Sequence, residues 1–134
     1  MYTCKHFKIH ELVPPRIYEK RGETAWELLD ERALITLDAL RDKFGVATVN
    51  NYKYGGSRIW SGFRTPDSPY YSETSQHSLG KAFDVIFKHV TAEEARQHIF
   101  ANRNDFIHIS GLELDCSWLH FDVRNATPIK VFTP

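Results

Sequence analysis

The residues Trp118-Leu119-His120-Phe121-Asp122-Val123-Arg124 alternate without a break, and that alternation constrains the fold more than any other stretch of the chain. Successive side chains of a strand point to opposite faces. Leu119, Phe121 and Val123 therefore share one face, and Trp118, His120, Asp122 and Arg124 the other. The first face belongs against an apolar core. The second aligns an imidazole, a carboxylate and a guanidinium, groups that lose free energy when covered without partners. It is either a solvated face with a cross-strand ion pair or one wall of a site.

A core is available to receive such a strand. The chain has 134 residues, 42% hydrophobic and 13% aromatic, with only 7 Gly and 6 Pro, which suits one domain over 1–134 rather than a disordered or low-complexity segment. Seventeen Lys plus Arg balance 17 Asp plus Glu. That neutrality argues against nucleic acid or an anionic membrane as partner, since both demand a basic surplus. Apolar runs stop at three residues, as in Ala33-Leu34-Ile35 and Val85-Ile86-Phe87. A bilayer span needs about 20, and residues 1–13 lack the apolar stretch of a signal peptide. The expectation is a chain made in the cytoplasm, with Cys4 and Cys116 as free thiols.

Two helices are expected. Thr24-Ala25-Trp26-Glu27 has the form of a capping box, and Trp26, Leu29, Ala33, Leu34, Leu37, Leu40 and Phe44 then recur at three- and four-residue steps up to a Gly45 cap. Thr91-Ala92-Glu93-Glu94 repeats the capping pattern and opens a helix to about Ala101. Strands are expected at 46–52 and 58–63, flanking Gly55-Gly56, and at 81–87, 106–110, 118–124 and 129–133. Together these spell an α+β domain, a small mostly antiparallel sheet with helices packed on one side. Residues 64–80 read as a long loop, the kind of segment that carries function.

That loop ends in Ser75-Gln76-His77-Ser78-Leu79-Gly80-Lys81-Ala82-Phe83-Asp84. If the chain reverses at Gly80, His77 and Asp84 can converge, and His120 on a neighbouring strand can complete a His-Asp-His set. Two imidazoles and a carboxylate form a known catalytic zinc set with a fourth position open to water, whose pKa the metal lowers to about 7. The competing reading makes His77 a turn cap and pairs Asp84 with a lysine. The five other histidines, His6, His10, His89, His98 and His108, have no ligand-like spacing. Nucleophile-elbow, phosphate-loop and Cys-x-x-Cys patterns are absent.

The pattern Ser-x-His-x-x-Gly-x-Ala-x-Asp, met by Ser75, His77, Gly80, Ala82 and Asp84, resembles that of zinc peptidases cutting D-amino-acid-containing peptides of bacterial cell walls. That family includes D-Ala-D-Ala carboxypeptidases, the vancomycin-resistance dipeptidases and phage L-alanyl-D-glutamate endopeptidases, with the hedgehog signalling domain as a structural relative. Ser61-Gly62-Phe63-Arg64-Thr65 looks like the family's Ser-Gly-aromatic-Arg segment, and 118–124 like the His-x-Asp strand of its short phage-borne members. The resemblance covers about 57–124.

It implies a hedgehog-like fold and Zn²⁺ held by His77, Asp84 and His120. It also implies that Arg64 steadies an oxyanion or substrate carboxylate, and that Ser75 and Asp122 orient the ligand histidines. The general base is the open question: many members place a Glu three residues before the second ligand His, where this chain has Ser117. Glu113 is the first candidate, Asp115 the second and Asp122 the third. The implied function is hydrolysis of peptidoglycan stem or cross-bridge peptides, as carboxypeptidase or endopeptidase, by a phage or prophage lysis or tail-associated protein. It would be a monomer acting at the cell wall or in a phage particle, with virion or holin-type phage proteins as partners. The alternative is a non-catalytic binding or structural phage module stabilised by zinc.

Overall fold

In a computed structural model describing all 134 residues, the chain forms three α-helices and one five-stranded mixed sheet, an α+β arrangement. Pro15 opens α1 (Pro15–Arg21) at the helical position where its missing N–H is not needed. The long helix α2 (Glu31–Phe44) is capped by Asp30, whose carboxylate accepts from the Arg32 amide. It ends at Gly45, whose N–H donates to Arg41 O at a φ of 85°. The third helix, α3 (Ala92–Ala101), carries the full Thr91–Glu94 capping box expected from the sequence.

The strands are β1 (Ala47–Thr48), β2 (Ala82–Phe87), β3 (Gly111–Glu113), β4 (Leu119–Asp122) and β5 (Lys130–Phe132), ordered β1-β2-β4-β3-β5. All neighbours pair antiparallel except β3 and β5, which run parallel. Phe83 and Val85 of β2 and Leu119 and Phe121 of β4 join Leu34, Leu37 and Leu40 of α2 and Ala95 and Ile99 of α3 in one buried core. The other sheet face carries Asp84, His120 and Asp122, so the alternation of 118–124 separates core from site as the sequence implied. No helix is long and apolar enough to cross a membrane.

Three expectations fail, each for a tertiary reason. Residues 22–28 form a 3-10 turn rather than the first turns of α2. Thr24 donates its hydroxyl back to Arg21 O instead of capping forward, and the Asp30 N–H is taken by Gly80 O at 2.9 Å, which breaks the helical ladder. The hairpin over 46–52 and 58–63 does not form. Its first arm pairs with β2, and the side chains of Asn50 and Asn51 bridge to the amides of Ser61 and Arg58 where a ladder was expected. The 106–110 strand lies instead at 111–113, because Arg103–Asp105 and the Ile109-to-Phe106 bond carry the chain through turns first. Helix α1 was not foreseen.

Gly80 is the pivot of this arrangement. Its φ is +72°, and a Cβ there would stand 2.1 Å from Leu28 O. Gly80→Ala is expected to destabilise the protein by more than 3 kcal/mol, since a backbone clash adds to the left-handed strain of about 1 kcal/mol. Gly55→Ala, at φ +91° with nothing within 4 Å, isolates the strain alone and should cost about 1 kcal/mol. Urea unfolding of the two variants measures the difference; equal losses would remove the clash from the account.

Candidate metal centre

Each of the three expected donors is delivered by a different device. Asp84 and His120 face one another as register partners across β2 and β4, so sheet hydrogen bonds alone bring them together. His77 closes the long loop. Its amide is held by Ser75 Oγ at 3.2 Å, and its carbonyl accepts from Gly80 N–H, which turns the loop into β2.

The side chains converge on one point. His77 Nε2 lies 3.2 Å from Asp84 Oδ1, and His120 Nδ1 lies 2.9 Å from the same oxygen. All three donor atoms fall within 4.8 Å of one another, and all three residues are buried. A tetrahedral metal at 2.0–2.1 Å from its ligands separates donor atoms by about 3.3 Å, close to the two distances observed. The remaining ring nitrogens are also spoken for: His77 Nδ1 donates to Gly62 O at 2.9 Å, and His120 Nε2 donates to Asp122 Oδ2 at 2.9 Å. Acceptors behind both rings leave Nε2 of His77 and Nδ1 of His120 as the nitrogens turned toward Asp84, the ones that would ligate a metal once unprotonated, with the outer arrangement typical of metal-bound imidazoles. The His77-Asp84-His120 group could therefore hold a metal ion.

The electrostatics agree with one tightly coupled unit. Burial pulls the Asp84 pKa upward, but His77 and His120 outweigh it and hold the carboxyl well below the usual carboxylate range. Burial disfavours a charged His120, yet hydrogen bonds to Asp122 and Asp84 push its pKa up to about 9. Asp122 is fully buried; burial again acts upward, and the bonds from Arg124 and His120 hold it at about 2.

The donors open onto a cleft of about 700 Å³, bordered also by Arg58, Arg64, Glu113 and Arg124. No family model, curated protein or solved structure matches the chain. What the site can do follows from its own groups.

Glu113 ends β3 at the cleft wall. Asp115 does not reach the cleft: it sits exposed in a left-handed turn at φ 58°. Asp122 has no free oxygen, both being taken by His120 and Arg124. Ser117 is exposed on the groove beside α3. Of the three candidate carboxylates for a base, only Glu113 borders the cleft. Arg64 donates to Asp84 Oδ2 at 3.2 Å and to Trp60 O at 2.8 Å, so it steadies the ligand carboxylate from behind. Burial lowers the Arg64 pKa, opposed by Asp84 and Glu113.

Two contributors escaped the sequence reading. The Gly62 carbonyl that orients His77 has no side-chain signature. Arg96 of α3 looks like a surface residue in sequence, yet it is 3% exposed and donates to the carbonyls of Glu113, Cys116 and Trp118. It thereby clamps the turn that connects Glu113 to β4.

Proposed function

We propose that the chain is a zinc-dependent peptidase acting on the peptides of bacterial peptidoglycan, with a hedgehog-like peptidase fold and a phage lysis or tail setting as its motifs suggest. The observation that carries this reading is the convergence of three buried donors, rather than four, on a cleft that also presents Glu113. Structural zinc sites are closed by four protein ligands, whereas catalytic ones leave a position open. Zinc held there would supply a Lewis acid that polarises a peptide carbonyl and brings the pKa of water near 7.

The protein's own groups would do the rest. The Glu113 carboxylate takes the proton of the attacking water and passes it to the departing amine nitrogen. Arg64 and Asp122 keep Asp84 and His120 in their orientations. One observation favours the non-catalytic module instead: the position three before His120 is Ser117, exposed and turned away from the cleft.

Digestion of purified peptidoglycan tests the choice. The zinc-loaded protein should release new amino groups, the chelated protein none. Glu113→Gln should lose at least about a hundredfold in rate while keeping its zinc. Zinc-loaded wild type that releases nothing would favour the binding module. Full activity in Glu113→Gln would move the base to another group.

A further inference from the structure

Three guanidiniums border the cleft, and two are already committed. Arg64 pairs with Asp84. Arg124 grips Asp122 with both Nε and Nη2. Arg58 differs: its Nε donates to Val49 O at 3.2 Å, and neither Nη atom has a hydrogen-bond or carboxylate partner. Its backbone is locked by Asn51, whose side-chain Oδ1 accepts from Arg58 N at 2.9 Å and whose own N–H donates to Arg58 O at 3.1 Å. The residue thus has a fixed stem and a free fork. Unlike the other two cleft arginines, it stands without a carboxylate partner on the wall of the cleft that the three donors also line.

A guanidinium fork matches a carboxylate bidentately, and a preorganised one loses little entropy on binding. Resting on the peptidase reading, we infer that Arg58 is the specificity residue of the cleft and anchors a free carboxylate of the substrate peptide, a task for which Arg64 is not available while it holds Asp84. Wall peptides offer two such groups, the α-carboxylate of a γ-linked D-glutamate and the C-terminal carboxylate. Arg58 selects for one of them.

The test uses the zinc-loaded protein and the pentapeptide L-Ala-γ-D-Glu-L-Lys-D-Ala-D-Ala in three forms: free acid, D-isoglutamine form and C-terminal amide. Calorimetry gives affinity, and mass spectrometry gives KM and kcat. Wild type should bind the free acid about tenfold or more above one of the two amidated forms. Arg58→Gln should bring the free acid down to the level of that amidated form, in KM rather than kcat, and should change the amidated form itself less than twofold. Should Arg58→Gln fail to fold, Arg58→Lys carries the comparison; with a cation but no fork, it should keep a reduced preference. Equal affinity of wild type for all three peptides overturns the inference, as does absence of binding or an equal loss on all three in the variant. Binding with the expected preference but no hydrolysis would sink the peptidase reading and leave Arg58 as the anchor.

Discussion

Replacing His120 with alanine is expected to weaken zinc binding by about a thousandfold. Apparent zinc affinities of protein sites run from about 10 to 16 kcal/mol, so about 12 is a fair middle value. Three donors sharing that energy give about 4 kcal/mol each, or three orders of magnitude. Titration against a chromophoric chelator at fixed pH measures it. His89→Ala, at an exposed histidine outside the group, is the control and should bind as wild type does. The alanine at 120 also leaves the Asp84 and Asp122 carboxylates without the imidazole between them, so its melting temperature should fall even without metal. The core face of β4 is untouched, since Leu119 and Phe121 remain. Zinc affinity within tenfold of wild type would place the metal elsewhere.

The second large effect is one of pH, and it has opposite signs with and without zinc. In the metal-free protein the His120 pKa is raised to about 9, above the ordinary value near 6.5. The stability this contributes is fully present below about pH 6.5 and is lost as pH rises through 9, amounting to about 3 kcal/mol at most. Asp122, lowered to about 2, acts at the other end: its contribution is present above the usual carboxylate pKa and is lost as pH falls through 2. The metal-free chain should therefore melt lower at pH 9 than at pH 6.

Zinc behaves the other way, because it must displace the His120 proton. Each unit below 9 costs tenfold, so affinity should rise about a hundredfold between pH 6 and pH 8 from His120 alone; an ordinary imidazole contributes only about fourfold over that range. Asp122→Asn removes the largest upward influence on His120 and should flatten both slopes. Slopes unchanged in that variant would refute the coupling.

Much of the site was legible in sequence, because spacing and alternation are local. Residues 118–124 sort into core and site faces by period two alone, and the His77–Gly80–Asp84 spacing names the turn that joins loop to strand. The Thr91 and Gly45 helix ends were equally plain, since capping depends on neighbours in the chain. What failed depended on distant partners. Thr24 lost its capping role to a break set by Gly80 O, fifty-odd residues away. The hairpin was displaced by Asn side chains acting as bridges, a use that no propensity encodes. Arg96 and the Gly62 carbonyl were invisible because their importance lies in what folds against them.

The register of β2 on β4 has one more consequence. Two of the three donors are set opposite each other by strand pairing, and the third by a turn already closed against the Leu28 backbone. The pocket is thus set by strand pairing and a closed turn, contacts made between protein groups alone. A metal bound there would then be exchangeable without unfolding the chain. Cobalt or cadmium could then be substituted into the native scaffold, turning an ion with no colour of its own into a spectroscopic reporter of whatever enters the cleft.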